Sequence, residues 1–322
     1  MTHALELEHV SKSYAEHVAV RDLSLSVPTG SVYGILGPNG AGKSTTLRMI
    51  MNILLRDSGQ IRLLGRDPER DREVLERVGY LPEERGLYRK MKVMDVIVFF
   101  ARLKGVDAAD ARSRGSEWLE KMGLADWGGA KVETLSKGMQ QKVQFITTVL
   151  HEPEVLILDE PQSGLDPVNQ EVLRETILST SRAGRTVILS THNMAEAQRM
   201  CDAVCIIAEG AKVLDGSVRA IRREHRANRF ALEFDEDSEG VRRFMRESPH
   251  VLEARESGGG WEVALAGESG AGPLLGDLAR LDVPVSRFEH LQPTLHEIFV
   301  SRVGDASRAR RVQANTAEAS RA

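Results

Sequence analysis

GPNGAGKST, at residues Gly37 to Thr45, is the most informative segment of this 322-residue chain. It matches the phosphate-binding loop pattern G-x-x-x-x-G-K-[ST]. An apolar run, Val32 to Leu36, precedes the loop, and a helix-like segment, Ser44 to Ile53, follows it. Strand, glycine-rich loop and helix are the order that phosphate binding by such a loop requires. The segment therefore predicts an α/β protein with a phosphate site at this loop.

The residues of the loop have separate chemical roles. Its glycines let backbone N–H groups wrap the phosphates, and the N-terminus of the following helix adds a partial positive charge. Lys43 would neutralise the β- and γ-phosphates of a nucleotide, while the Ser44 hydroxyl would ligate Mg²⁺. The predicted phosphate-binding residues are Gly37, Pro38, Asn39, Gly40, Ala41, Gly42, Lys43, Ser44 and Thr45.

Two adjacent acidic residues form a second candidate element. The unbroken apolar run Val155 to Leu158 leads directly into Asp159 and Glu160. Asp159 would hold Mg²⁺ through water, and Glu160 would polarise an attacking water as a general base. Alternatively, both residues only cap the strand before Pro161. The loop upstream favours the catalytic interpretation.

Strand and helix patterns alternate on both sides of the loop. Leu5 to Val10 and Val18 to Val27 alternate apolar and polar residues, which predicts an antiparallel strand pair at an exposed margin. Strands separated by helices predict a sheet with a parallel core. Helical patterns dominate from Met94 to Met122 and resume at Lys137, which indicates an inserted helical subdomain. The further predicted strands are Gln60 to Leu64, Val155 to Leu158, Thr186 to Ser190 and Val204 to Ile207, and the predicted helices include Gln170 to Thr180 and Met194 to Met200.

The composition changes at the charged stretch Arg219 to Arg229, where we place a domain boundary. The patterns beyond it follow the order β-α-β-β-α-β, which is the ferredoxin-like arrangement. The end of the chain is rich in Ala, Ser and Arg, which is typical of a mobile tail. We expect a first domain at residues 1–218 with its helical subdomain at about 84–150, a linker at 219–228, an α+β domain at 229–303 and a tail at 304–322.

The overall composition excludes several classes of protein. A formal net charge of -4 argues against a protein that coats nucleic acid. The two cysteines, Cys201 and Cys205, lack the spacing of a zinc or redox motif, so we expect buried thiols in a reducing compartment. The N-terminus has no pattern of a secretory signal. The most apolar window, Val93 to Ala101, is too short to span a bilayer, so a membrane part would come from another chain.

Three further motifs make a family resemblance specific. LSKGMQQK, Leu135 to Lys142, resembles the signature of ABC ATPases, which is usually written LSGGQ. SGLDP, Ser163 to Pro167, is similar to the D-loop of that family, and Ser190 to His192 matches its switch histidine. With the two phosphate-site elements, five motifs stand in family order over roughly Leu5 to Gly216. The resemblance implies a P-loop NTPase fold of the ABC type, with a mixed sheet, an antiparallel edge and an inserted helical subdomain, followed by a small ferredoxin-like α+β domain.

The resemblance also assigns roles to residues outside the phosphate loop. Ser136 and the backbone at Gly138 would donate to a γ-phosphate bound on the opposite subunit, so that ATP holds together a homodimer or a pair of ATPase subunits. Asp166 would couple the two sites, and His192 would hydrogen-bond the γ-phosphate. Tyr14 would stack on adenine. For His192 and Tyr14, a purely structural role is the alternative.

Two departures from the widespread family pattern point to a subgroup. Glu83 stands where most members have a glutamine, which would place a carboxylate rather than an amide beside Mg²⁺. Lys137 and Met139 replace the usual Gly and Gln of the signature, and Lys137 would lie near the partner's phosphate or point to solvent. Both departures resemble the ATPase subunits of ABC-2-type exporters related to sodium and drug extrusion systems. PTLHEIFV, Pro293 to Val300, resembles the closing helix of their C-terminal domain.

The subgroup implies hydrolysis of ATP, with Mg²⁺, coupled to export through separate integral-membrane permease subunits. The chain would then be cytoplasmic and attached to the cytoplasmic face of the membrane through the permease, and the segment Glu83 to Met91 would meet the permease. No nucleic acid is expected as a partner. The alternatives are a soluble ABC ATPase acting on nucleic acid or ribosomes, and a regulatory module with an inert motor. The first usually has two motor domains or a coiled-coil insertion; the second requires loss of residues such as Lys43, Glu160 or His192, all present here.

Overall fold

Strands and helices alternate along most of the chain. The computed structural model describes residues 2–15, 17–84, 86–226, 228–235, 239–266, 271–280 and 284–303, so the predicted tail at 304–322 lies outside the described residues. In chain order the elements are β1 (His3–Tyr14), β2 (His17–Pro28), β3 (Val32–Leu36), α1 (Lys43–Ile50), β4 (Ser58–Leu63), β5 (Val78–Leu81), α2 (Val93–Leu103), α3 (Ala108–Lys121), α4 (Lys137–Val149), β6 (Val155–Asp159), α5 (Pro167–Arg182), β7 (Thr186–Thr191), α6 (Met194–Met200), β8 (Ala203–Ala208), β9 (Ala211–Ser217), α7 (Val218–Glu224), β10 (Arg229–Phe234), α8 (Glu239–Glu247), β11 (Val251–Ser257), β12 (Gly260–Leu265), α9 (Gly272–Arg280) and β13 (Val285–His290).

The chain forms two compact units; of the described residues, 2–218 and 302–303 belong to the first, and Arg219 to Ser301 belong to the second. Each unit has its own hydrophobic core. The segment 219–228, predicted to be a linker, begins within helix α7 rather than as extended chain. The sequence VRAIRRE contains no Gly or Pro and is rich in good helix formers, and it buries Val218 and Ile221.

A six-stranded sheet organises the first unit, in the order β5-β6-β7-β3-β8-β9. Its first five strands are parallel, and β9 pairs antiparallel with β8 at one edge. Every residue of β3 and β6 is buried, as expected for parallel strands covered on both faces. The predicted mixed sheet with a parallel core is confirmed.

The order of these strands explains where chemistry can occur. Strands β6, β7 and β3 are neighbours, although β3 is far from the other two in sequence. Because they are parallel, their carboxyl ends lie at the same edge of the sheet, and the chain continues from there into the phosphate loop, into Glu160 and into His192. In open α/β sheets, ligands bind at this edge where the strand order reverses.

A separate three-stranded antiparallel sheet, in the order β2-β1-β4, completes the first unit. The predicted pair of strands forms β1 and β2, which are joined at a hairpin where Tyr14 pairs with His17. The segment predicted as Gln60 to Leu64 is β4, and it pairs with β1 instead of joining the parallel sheet. Its burial alternates along the strand, which fits an antiparallel sheet with one covered face.

The predicted helical insertion contains α2, α3 and α4. One face of α2 is buried through Val93, Val96, Ile97 and Ala101, so the apolar window found in the sequence packs inside the subdomain. Trp118 of α3 meets Phe145 of α4 edge to face, with ring centroids 6.2 Å apart. Among the described residues, no helix combines the length and the apolar character needed to cross a bilayer.

The second unit is a four-stranded antiparallel sheet in the order β11-β12-β10-β13. Its elements follow the predicted order β-α-β-β-α-β, with α8 and α9 between strands. Leu232 and Val263 of the sheet pack with Met245 and Leu274 of the helices in one core. Exposed ion pairs connect neighbouring strands of this sheet, including one between Arg287 of β13 and Glu233 of β10.

Candidate functional site

The phosphate loop follows β3 and uses glycine where no other residue fits. Gly42 has φ of 103°, and a Cβ atom on it would lie 2.3 Å from the carbonyl oxygen of Ala19. A Cβ atom on Gly37 would lie 2.2 Å from the carbonyl oxygen of Ile207. Both distances are far inside van der Waals contact, so a side chain at either position would displace the loop from its neighbours. The loop conformation therefore depends on glycine at both positions.

Lys43 brings a buried cation to the mouth of this loop. Its side chain is 5 % exposed although lysine is rarely buried without a partner. The Nζ atom donates to the carbonyl oxygens of Gly37 (2.8 Å) and Pro38 (3.2 Å). It also lies 3.3 Å from Oε1 of Glu160. The ammonium is thus held between the loop backbone and the second acidic residue of the site.

Ser44 and Asp159 come together as a candidate metal pair. The Ser44 hydroxyl donates to Oδ1 of Asp159 at 3.1 Å, although the two residues are far apart in sequence. Asp159 is fully buried, and its Oδ2 atom has no hydrogen-bond partner within the described part of the chain. A buried carboxylate oxygen without a partner is costly, and a bound cation would satisfy it. A hydroxyl beside such an oxygen fits Mg²⁺, which prefers oxygen ligands and retains several waters.

Glu160 and His192 form the other half of the cluster. Nδ1 of His192 lies 3.0 Å from Oε1 and 3.1 Å from Oε2 of Glu160. Glu160 has φ of 46°, a left-handed conformation that is uncommon for residues other than glycine. This conformation begins the turn after β6, and the carboxylate is 8 % exposed between the Lys43 ammonium and the His192 ring. The structure therefore brings together Lys43, Ser44, Asp159, Glu160 and His192.

Ser136, Gly138 and Asp166 lie at the N-terminal ends of helices. Ser136 precedes α4, and its hydroxyl accepts a hydrogen bond from the N–H of Met139 at 3.2 Å. Gly138 is in the first turn of the same helix. Asp166 caps α5 and accepts from the backbone N–H of Asn169 and of Val168; these hydrogen bonds, led by those from Asn169, hold the pKa of its carboxyl below its usual value. These contacts are made within each residue's own helix.

Tyr14, Glu83 and Lys137 lie at exposed positions. Tyr14 ends β1, its side chain is exposed, and the Nζ of Lys12 lies 5.8 Å from the ring centroid. Glu83 is exposed in the turn after β5. No group of three or more His, Cys, Asp or Glu residues suited to a metal ion exists among the residues that the structure describes, so a metal role for Glu83 stays a prediction. Lys137 is exposed at the start of α4, which leaves both interpretations of this residue open.

Two buried glutamines on α4 contact the site and were not predicted from the sequence. Nε2 of Gln141 donates to the carbonyl oxygen of Pro161, the residue after Glu160, at 3.2 Å. Nε2 of Gln144 donates to the carbonyl oxygen of Glu84 at 3.2 Å. Both residues lie on the buried face of α4, three positions apart. Amide side chains on an otherwise buried helical face are the signal that points to them in retrospect.

Two family models match this chain. One, described as ABC transporter, matches residues 20–163. The other, described as ATP-binding protein DrrA1-3-like, C-terminal domain, matches residues 216–303. Together the two matches cover most of the phosphate-site elements and nearly all of the second unit.

Curated relatives and a solved structure agree with these matches. The chain is 40% identical over 300 residues to an uncharacterized ABC transporter ATP-binding protein, YhaQ, of Bacillus subtilis (strain 168), covering 93% of this chain and 98% of that protein. It is 40% identical over 219 residues to the Nod factor export ATP-binding protein I of Paraburkholderia xenovorans (strain LB400), covering 68% of this chain and 72% of that protein. A solved ATP-binding subunit of an ABC transporter superposes with a TM-score of 0.64 at 31% identity, over 69% of this chain and 92% of that structure.

Proposed function

This chain belongs to the ABC transporter ATP-binding proteins, and from that premise we propose that it hydrolyses ATP to drive export through separate membrane permease subunits. The observation that carries the proposal is the position of the Glu160 carboxylate, 3.3 Å from the Lys43 ammonium and 3.0 Å from the His192 ring. The buried pair of Ser44 and Asp159 lies beside it. The export direction is supported by the relative whose name assigns it to Nod factor export.

The residues divide the work of hydrolysis. Lys43 and the N–H groups of the loop bind the phosphates of ATP and stabilise the negative charge that develops in the transition state. Ser44 and Asp159 would hold Mg²⁺, which would supply positive charge against the phosphates. Glu160 accepts a proton from the water that attacks the γ-phosphate, and the products are ADP and phosphate. His192 holds the Glu160 carboxylate in place and offers a donor to the γ-phosphate.

The proposed active unit is a head-to-tail dimer of two ATPase subunits. Ser136 and Gly138 lie at the N-terminus of the 13-residue helix α4, where backbone N–H groups and the helix dipole favour an anion. We infer that they face the γ-phosphate of the partner subunit and that Asp166 links the two sites. The exposed ring of Tyr14 stacks on the adenine. ATP is then the ligand that joins the subunits.

An exposed aromatic cluster beside the Glu83 to Met91 segment is the proposed permease contact. The ring of Tyr88 lies 5.4 Å from that of Phe99 and 6.1 Å from that of Phe100. Leu103, one turn further along α2, is also exposed. Exposed apolar groups in contact with one another mark interaction sites in soluble proteins. The membrane permease would cover this cluster at the cytoplasmic face, and the cargo would be an ion, a drug or a lipid.

Glu160→Gln tests the proposed reaction. The amide cannot accept the proton from water, so we expect ATP to bind while turnover slows by about 10²–10⁴-fold. Light scattering on this variant should show a shift from monomer to dimer on addition of Mg-ATP. Lys43→Ala is the matched control, because loss of the cation should abolish nucleotide binding and the dimer with it. Turnover of Glu160→Gln at the wild-type rate would rule out Glu160 as the base.

Phe99→Asp tests the proposed permease contact. A charge placed in the aromatic cluster would be buried on docking, so we expect the variant to lose co-purification with permease subunits expressed from neighbouring genes. Trp127→Asp is the matched control, because its side chain is 38 % exposed against 37 % for Phe99 and lies outside the cluster. ATPase activity of the free chain should be the same in both variants. Equal retention of the permease by both would place the contact elsewhere.

A further inference from the structure

Ser190 carries a buried hydroxyl at the centre of the site, and it has no role in the proposed hydrolysis. It lies in β7, which is flanked in the sheet by β6 and β3. In the parallel register it is opposite Asp159 on one side and Ile35 on the other. Its side chain is fully buried in a strand that is otherwise apolar between Val187 and Leu189. A buried polar group at such a position normally has specific partners.

Both partners of the Ser190 side chain are acidic residues of the site. The hydroxyl donates to Oδ1 of Asp159 at 2.5 Å. The hydroxyl oxygen of Ser190 also accepts a hydrogen bond from the backbone N–H of Glu160 at 3.0 Å. The backbone carbonyl oxygen of Ser190 lies 3.2 Å from that N–H and accepts from it as well. One residue therefore contacts the candidate metal ligand and the candidate base together.

The contact with Asp159 selects which carboxylate oxygen is left for a cation. Oδ1 accepts hydrogen bonds from two hydroxyls, those of Ser44 and Ser190. Oδ2 is buried and has no partner among the described residues. A carboxylate can rotate about its last side-chain bond, because that torsion has a broad energy profile. The Ser190 hydroxyl restrains this rotation and keeps Oδ2 as the oxygen available to a metal.

The contact with Glu160 holds a strained backbone. Glu160 has φ of 46°, and a residue other than glycine adopts this conformation only when its surroundings maintain it. Its N–H is held by the carbonyl and the hydroxyl of Ser190. This fixes the direction in which the Glu160 side chain leaves the backbone, and hence its approach to Lys43 and His192.

We propose that Ser190 is a positioning residue that sets the metal-facing oxygen of Asp159 and the backbone of Glu160 through one hydroxyl. The proposal rests on the proposed function, because it assigns Asp159 to the metal and Glu160 to the water. Metal affinity and base placement then depend on the same group. Residues that orient metal ligands in this way change metal affinity or activity by about 10–100-fold when they are replaced.

Binding of Mn²⁺ to the ADP-loaded protein, followed by electron paramagnetic resonance of the free ion, tests the proposal without turnover. Mn²⁺ prefers the same carboxylate and water ligands as Mg²⁺. We expect Ser190→Ala to weaken Mn²⁺ binding by about 10–100-fold and to leave the affinity for ADP in chelator within threefold of wild type. At saturating metal, ATP turnover should also fall, because the Glu160 N–H loses one of its two acceptors and keeps only the backbone carbonyl at position 190.

Ser190→Thr and Ser190→Val form a pair of equal size that differ in the hydroxyl. We expect the Thr variant to bind Mn²⁺ more tightly than the Val variant by the same factor that separates wild type from Ser190→Ala. If the Ala variant does not fold, this pair still tests whether the hydroxyl at position 190 controls Mn²⁺ binding. Thr176→Val is the control for a lost buried hydroxyl, because Thr176 is buried and, among the described residues, its hydroxyl donates within α5 to the Val172 carbonyl oxygen at 2.8 Å. It should leave Mn²⁺ binding unchanged.

The outcomes separate this inference from the proposed function. Wild-type protein that binds no Mn²⁺ with ADP would overturn both. Wild-type binding that is unchanged in the Ala and Val variants would overturn the role of Ser190 and leave the proposed function standing. Equal weakening in the Thr and Val variants would show that size, not the hydroxyl, matters, and would also overturn it.

Discussion

At the scale of single residues, Asp159 and Glu160 carry the same functional group but contact different neighbours, which suits them to different chemical roles. Both are carboxylates at the end of β6, yet Asp159 receives hydrogen bonds from two hydroxyls while Glu160 lies between an ammonium and an imidazole. The first environment leaves one buried oxygen for a cation. The second keeps a carboxylate beside the water it would deprotonate. Asp159 is the last residue of β6, whereas Glu160 begins the turn after it in a left-handed conformation, with φ of 46°.

His151 gives a pH dependence to the stability of the first unit. Burial, and next the nearby Lys104 ammonium, lower the pKa of its imidazole from 6.5 to about 4. In the unfolded chain the ring takes up a proton as the pH falls below about 6.5, whereas the folded ring does so only near pH 4. Protons therefore favour unfolding over this interval. We expect the free energy of unfolding in urea to fall as the pH is lowered from about 6.5 towards 4.

The variant His151→Leu isolates this contribution. The leucine cannot take up a proton, so the decline in stability between pH 6.5 and pH 4 should be shallower than in wild type. Thr176→Val, which changes a buried side chain that carries no titratable group, is the control and should keep the wild-type slope. Identical slopes for wild type and His151→Leu would contradict the prediction.

At the scale of elements, α4 connects the signature segment at its N-terminus to two loops through side chains on its buried face. Its N-terminus carries Ser136 and Gly138, and its buried face carries Gln141 and Gln144. Gln141 donates to the carbonyl oxygen of Pro161, the residue after Glu160, and Gln144 donates to that of Glu84, in the loop after β5. Because a helix is stiff over this length, movement of its N-terminus would be transmitted to both loops. We therefore expect these contacts to couple the signature segment to the proposed hydrolysis site.

Gln144→Met tests the link between α4 and the loop after β5. The thioether keeps the length of the side chain and removes the amide donor, so the loop loses its hydrogen bond at Glu84. We expect amide hydrogen exchange across residues 82–91 to become several-fold faster, with a change in overall stability of about 1 kcal/mol.

Gln170→Met is the control for this experiment. Its amide donates to the carbonyl oxygen of Leu165 at 3.0 Å, away from the loop after β5, and the variant should leave the 82–91 exchange rates as in wild type. Equal rates in all three proteins would show that the loop is held by other contacts.

At the scale of the whole molecule, the two units have separate cores. Leu232 of β10 is fully buried in the core of the second unit, where it is flanked in the sheet by β12 and β13 and shares the core with residues of α8 and α9. Leu232→Ala should destabilise this unit by about 2–5 kcal/mol through lost burial and a residual cavity. ADP affinity, measured by calorimetry, should stay within twofold because the proposed nucleotide site lies in the first unit.

Hydrogen exchange on Leu232→Ala provides the check on this separation. Faster exchange should be confined to residues 229–290. Faster exchange in β3 or β6 as well would show that the two cores unfold together.

Much of the first unit was predictable from local patterns. The glycine loop, the apolar strand before it and the helix after it are adjacent in the chain, and each depends on short-range sterics or on burial of its own residues. The order β-α-β-β-α-β of the second unit also follows from periodicity. By contrast, the hydrophobic pattern of β4 does not specify which strand it pairs with. The pattern groups β4 with the strands of the parallel sheet, whereas in the structure β4 pairs with β1.

The sequence by itself therefore determined the fold class, the phosphate loop and the family, because these depend on residues that are neighbours in the chain. Only the tertiary structure decided that the His192 ring meets the Glu160 carboxylate, that Gln144 holds the loop at Glu84, and that the Ser190 hydroxyl bonds to Asp159. These contacts join residues at least 31 positions apart. They arise from the order and register of parallel strands and from the packing of α4, and these are set by burial summed over the whole unit rather than by any local pattern.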